Sequence, residues 1–191
     1  KYGPNFTFWG EPMYGYYQIE DEWVVRKHVE LFINAGLDFI CFDTTNNDYY
    51  APAARTVLNV LLEYQNLGYK VPKAMFMTNS DSTGRTTEIY NAFYKRGRYD
   101  SVMFTGNGDK PWIISSYAGS DEAIRNKFYF KAAQWPNSTY NANKFPWISW
   151  RYPQEKFTDD VNDYTIMNVS ASQHTGIGGG FSDAKISGIN F

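Results

Sequence analysis

Apolar positions along the chain alternate between helical and strand-like spacing. Asp21 is placed to cap a helix that begins near Glu22; Val25, Val29, Phe32 and Ile33 recur on one face, and Gly36 closes it. Residues 37–42 follow at once and are almost wholly apolar, the pattern of a parallel strand buried on both faces. Pro52 opens a second helix with Val57, Leu58, Leu61 and Leu62 on one face and Gly68 at its end. Residues 73–78 read as a second buried strand, 86–95 as a third helix ending at Gly97, and 100–105 as another strand. Gly106-Asn107-Gly108-Asp109 then has the composition of a hairpin turn, with residues 111–115 as its return arm. A short helix is expected over 120–126, and strands over 128–133, 145–150 and 165–172.

Alternating helices and buried strands leave two architectures, a doubly wound open sheet or a (β/α)8 TIM barrel. A complete barrel takes about 250 residues. At 191 residues the chain reads as a single domain over 1–191, a large part of a barrel that lacks terminal elements. A second polypeptide segment is the candidate for completing it. No internal repeat, low-complexity tract or linker interrupts the pattern.

Composition narrows the function. Eighteen basic and twenty acidic residues give a net charge of −2, which argues against nucleic acid or an anionic membrane as partner. No apolar run reaches the roughly 20 residues that span a bilayer. Cys41 is the single cysteine, and with only His28 and His174 beside it neither a disulfide nor a zinc finger is expected. No metal or cofactor is called for. The aromatic share is 19%, with 6 Trp and 16 Tyr beside 16 Asn. Such side chains fill cores, and they also line sugar-binding clefts, where rings stack on pyranose C–H faces and amides bind hydroxyls.

In either architecture chemistry sits beyond the carboxyl ends of the strands. The first strand ends in Asp43-Thr44-Thr45-Asn46, which puts Asp43 at the mouth either as a pocket carboxylate or as a turn cap. Glu11 lies among aromatics in Trp9-Gly10-Glu11-Pro12-Met13-Tyr14 and is read either as an acid–base group or as an exposed loop charge. Asn46, Asn79 and His174 follow strands and suit sugar hydroxyls, with proton shuttling as a second role for His174 and loop capping as the plainer role for the two amides. His28 lies inside a helix and reads as packed or surface-facing; Asp38 starts its strand and reads as structural. Gly176-Ile177-Gly178-Gly179-Gly180 lacks the Lys-Ser/Thr of a phosphate loop. Three Asn-x-Ser/Thr sequons carry no weight, since chance alone gives about two.

Three segments carry a family likeness: Phe8-Trp9-Gly10-Glu11-Pro12-Met13-Tyr14-Gly15-Tyr16-Tyr17, Asp21-Glu22-Trp23-Val24-Val25-Arg26-Lys27-His28, and Ala35-Gly36-Leu37-Asp38-Phe39-Ile40-Cys41-Phe42-Asp43-Thr44-Thr45-Asn46. They resemble bacterial proteins described as glycoside hydrolase family 71/99-like. Shorter matches follow in order, among them Lys110-Pro111-Trp112-Ile113-Ile114 and Val169-Ser170-Ala171-Ser172-Gln173-His174. The resemblance implies a (β/α)8 barrel, a secreted or periplasmic setting, hydrolysis of α-linked glycans, and further strands beyond Phe191 that supply essential carboxylates. The expected activity is glycoside hydrolysis, with Asp43 and Glu11 as catalytic candidates. Tyr14, Asn46, Asn79 and His174 would orient the sugar, and Trp147 and Tyr152 would stack on it. The alternatives are a non-catalytic glycan-binding module on a degenerate barrel and, behind it, a polysaccharide lyase.

Overall fold

The computed structural model describes residues 11–136, 138–147, 155–159, 163–169, 185–186 and 189–190. Its centre is a four-stranded parallel sheet, β1 (Phe39–Thr44), β2 (Lys73–Thr78), β3 (Trp112–Ile114) and β4 (Tyr129–Lys131), hydrogen-bonded in the order β1-β2-β3-β4. Helix α1 (Glu22–Asn34) precedes β1, α2 (Ala51–Asn66) joins β1 to β2, α3 (Ser82–Ile89) leads toward β3, and α4 (Glu122–Lys127) joins β3 to β4. Sequential strand order is what successive crossovers of one hand produce, and among the described residues the order shows no reversal. Among the described residues the sheet is open.

Strand side chains alternate between two faces, and each face builds its own core. Ile40, Phe42, Phe76, Ile113 and Phe130 join Val29, Leu58, Leu61, Ile89 and Ile124 in the larger cluster, so the helices cover one face. Cys41, Met75, Met77, Trp112, Ile114 and Tyr129 belong to the other. That second face also takes Phe145, Trp147 and Ile166 from later elements. After Ala132, β5 (Ala133–Gln134) pairs in parallel with β6 (Phe145–Pro146). An antiparallel hairpin, β7 (Lys156–Asp159) and β8 (Tyr164–Met167), lies nearby, and a small pair, β9 (Lys185–Ile186) and β10 (Ile189–Asn190), ends the described chain.

Local chemistry sets the boundaries. Asp21 and Asp121 cap α1 and α4 by accepting from the amides of Trp23 and Ala123 at 3.0 and 2.8 Å. Asp81 does the same for α3 through Gly84, so this helix starts earlier than the apolar spacing predicts. Past Ile89 the helix widens into a π-helical turn over Tyr90–Tyr94, which turns Phe93 and Tyr94 into the core.

Two expectations are corrected. Residues 100–105 are not a strand: Asp100–Val102 form a 3-10 turn, and only Met103 bridges to Ala74. The expected hairpin across Asn107-Gly108 is also absent. A turn closes between Thr105 and Gly108, but the following Trp112-Ile113-Ile114 run is buried on both faces and inserts as the central strand β3, parallel to β2 and β4. Full burial of three apolar residues outweighs the local hairpin preference.

Tyr94 is 1% exposed, and among the described residues its hydroxyl has no hydrogen-bond partner. Burial pushes its phenol well above the usual range. An unpaired buried hydroxyl costs free energy, so Tyr94→Phe is expected to raise stability by about 1 kcal/mol. A lower urea midpoint in the variant would show that the hydroxyl does contribute.

Candidate functional site

The sheet register brings the carboxyl ends of β1 and β2 level, with Asp43 opposite Met77 and Thr44 opposite Thr78. The loops beyond are tied together: the Ser80 amide donates to the Thr45 carbonyl at 3.1 Å, and Arg85 reaches the Asn47 carbonyl at 3.4 Å. Asp43, Asn46 and Asn79 therefore share one rim, all three exposed. The buried hydroxyls behind them are spent on structure. Thr44 donates to the Met77 carbonyl at 2.7 Å, and the Thr86 and Ser115 hydroxyls pair at 2.8 Å. They make the rim rigid rather than reactive.

Asp43 caps its turn and borders a hollow. One carboxylate oxygen accepts from the Thr45 amide at 3.0 Å, a turn cap. The same residue lines a hollow of about 260 Å³ with Thr44, Tyr49, Tyr50, Ala53 and Ile19. The loop that shapes this hollow is unusual. Asn47 and Tyr50 both have positive φ, 65° and 46°. A left-handed tyrosine costs about 1–2 kcal/mol, and Asp48 holds it by accepting from the Tyr50 amide at 2.8 Å. Such stored strain clusters where a side chain must be aimed. Tyr50, 43% exposed, borders the hollow beside Asp43 and immediately precedes α2.

Cys41 lies two residues before Asp43. Burial, with a smaller contribution from the Asp43 charge, pushes its thiol up to about 12. At neutral pH it is a protonated wall residue and not a thiolate nucleophile.

The other expected site residues scatter. Glu11 is exposed and is not among the residues that line the Asp43 hollow. Tyr14 packs edge-on to Trp23 at 5.4 Å and against His28 at 5.9 Å, on the flank of α1. His28 is packed, as a helical histidine should be, with Tyr17 and Phe32 as further ring neighbours. Trp147 sits past the end of β6 with its ring 4.9 Å from Trp135. Tyr152 and His174 lie outside the described residues.

Sequence reasoning missed two features. One is Tyr49-Tyr50, whose role depends on backbone angles that composition does not announce. The other is a buried ion pair on the second face of the sheet. Lys131 Nζ lies 2.6 Å from Asp159, with side-chain exposures of 6% and 1%. The Tyr129 hydroxyl donates to the same carboxylate at 3.0 Å, and the Lys131 ammonium sits 5.3 Å over the Trp112 ring. A lysine inside Phe128-Tyr129-Phe130-Lys131-Ala132-Ala133 was a readable signal of this. Among the described residues no three His, Cys, Asp or Glu side chains gather as a metal site, and no helix is long and apolar enough to cross a membrane.

In comparisons with known proteins, no family model, no curated protein and no solved structure matches this chain.

Proposed function

We propose that the protein acts on carbohydrate, as a glycoside hydrolase with Asp43 as a site carboxylate. The observation that carries the reading is the Asp43 hollow itself: an exposed carboxylate at the carboxyl end of a parallel strand, beside two tyrosines and with Asn46 and Asn79 on the same rim. Rings and amides around a carboxylate are what a pyranose needs for stacking, hydroxyl binding and charge stabilisation at the anomeric carbon. The sequential parallel sheet with helices on one face is the geometry of part of a (β/α)8 barrel, which is the architecture we propose for the whole fold. Resemblance to the family 71/99-like hydrolases supports α-linked glycans as substrate and a secreted or periplasmic setting.

Hydrolysis needs two carboxyl groups across the scissile bond. Among the described residues, Asp43 is the one carboxylate that lines the hollow. That observation favours, as second reading, a glycan-binding module without turnover. Calorimetry with a panel of α-linked oligosaccharides, run beside product analysis, separates the two. Asp43→Asn is expected to lower turnover by about 10²–10⁴-fold with binding largely kept. Full turnover in the variant removes Asp43 from the chemistry. Heat without products in the wild type selects the binding module, and no heat with any glycan ends the carbohydrate reading.

A further inference from the structure

Helices α1 and α2 pack side by side, and a groove of about 460 Å³ lies between them. It is set toward the carboxyl ends of both helices: Asn34 is the last residue of α1, and Leu67 is the first beyond α2. The short link 35–38 leads from α1 to the start of β1, so this groove stands at the amino ends of the strands. Asp43 stands at the other end of β1.

The floor of the groove is fixed. Ile33 and Tyr64 pack against the core. A bidentate ion pair joins the two helices, with Arg26 Nη1 and Nη2 donating to the two Glu63 oxygens at 2.9 and 2.6 Å. The Tyr64 hydroxyl donates to one Glu30 oxygen at 2.8 Å, and Lys27 donates to the other at 2.9 Å. Hydrogen bonds from Lys27 and Tyr64 hold the Glu30 carboxyl below its usual range, as Arg26 does for Glu63, so both are ionised acceptors at neutral pH. Leu67 and Tyr69 complete the lining and are 66% and 52% exposed, with the Tyr69 ring 5.5 Å from that of Tyr64.

This lining selects its occupant. An anion would meet two carboxylates and the carbonyl ends of two helices. A cation would meet Arg26, and carboxylates whose charge is already matched by Arg26 and Lys27. A purely apolar group would cover polar atoms without satisfying them. A neutral polyhydroxyl ligand meets none of these costs. Each hydroxyl both donates and accepts, so it can use the spare lone pairs of Glu30 and Glu63 and the amide of Asn34. The C–H face of a pyranose then lies on Tyr69 and Leu67. The volume falls within the range of small-molecule sites.

We propose that the groove between α1 and α2 is a second saccharide-binding site, one that holds a glycan at the helix surface without cleaving it. It lies at the opposite end of β1 from Asp43 and shares with the reading of Asp43 only the class of ligand.

The test is a titration of nitrogen-15-labelled protein, followed through its backbone amide shifts, with maltotriose, isomaltotriose and an α-mannotriose as probes. The amides of Asn34, Leu67, Gly68 and Tyr69 are expected to shift with at least one probe. Tyr69→Ala removes an exposed ring and should weaken that binding by about 5- to 10-fold. Asn34→Ala, also at an exposed position, should weaken it by about 3- to 10-fold. Asp43→Asn should leave it unchanged. Circular dichroism verifies the fold of each variant. No shift at these amides with any probe overturns the proposal, as does an affinity that survives both groove substitutions. The two readings fail separately. Shifts confined to the Asp43 rim keep the site carboxylate and lose the groove. Shifts at the groove in a wild type that forms no products keep the groove and lose the hydrolase.

Discussion

Asp159→Ala is expected to destabilise the protein by about 3–5 kcal/mol, because it strands a buried ammonium. Lys131 and Asp159 are 6% and 1% exposed, and the ion pair is 2.6 Å long. The Tyr129 hydroxyl also donates to the carboxylate. Among the described residues, removing the carboxylate leaves Lys131 with the Thr158 carbonyl at 3.4 Å and the face of Trp112, neither of which replaces a counter-charge. The pair need not be a large net source of stability, since both groups were taken out of water to form it. A control follows from that asymmetry. The double variant Lys131→Met, Asp159→Leu removes both charges and should recover most of the loss, to within about 1–2 kcal/mol of the wild type. Urea unfolding measures all three. If the single and double variants are equally unstable, packing and not charge explains the site.

Phe76→Ala should cost about as much, roughly 3–5 kcal/mol, by a different route. Phe76 is fully buried in the middle of β2. Its ring stacks on Phe42 at 4.8 Å and on Phe93 at 5.4 Å, and meets the edge of Tyr94 at 6.2 Å. It therefore joins β1, β2 and the π-helical turn in one contact. Truncation leaves a cavity that rigid neighbours on three sides cannot close. For a chain of this length the expected fall in melting temperature is about 10 °C. Phe76→Leu, which keeps most of the volume, should lose less than half as much. A cost for Phe76→Ala near 1 kcal/mol would mean that the aromatic stack collapses around the gap.

What the residues disclose depends on how completely each element is buried. Strand β2 is legible because its apolar run is continuous, and residues 73–78 match it end to end; β1 runs from Phe39 to Thr44 rather than over 37–42 and is half-buried, not covered on both faces. Helices α1 and α2 are legible because one apolar stripe faces the sheet, with Asp21 capping α1, Pro52 in the first turn of α2, and Gly36 and Gly68 just past their ends. The error at β3 arose where a local signal, Asn107-Gly108, competed with a tertiary one, and the tertiary one won. Strand β7 was missed altogether. It buries Phe157 and Asp159 on alternate positions, and a buried aspartate reads as a surface residue until its lysine is in view. The place of Asp43 at the carboxyl end of β1 was readable from the apolar run before it. The tyrosines that wall its hollow were not, because a left-handed tyrosine has no signature in composition.

The order in which the strands pair bears on how the chain assembles. Each strand of the main sheet lies beside the one that precedes it in the chain, so the sheet can grow by accretion, one helix and one strand at a time, each new layer templated by the last. Loop-closure entropy is then met in modest instalments. The hairpin of β7 and β8 does not add to that edge. Asp159 finds its lysine only once β4 exists, so ionic closure of the second face belongs late in folding and early in unfolding.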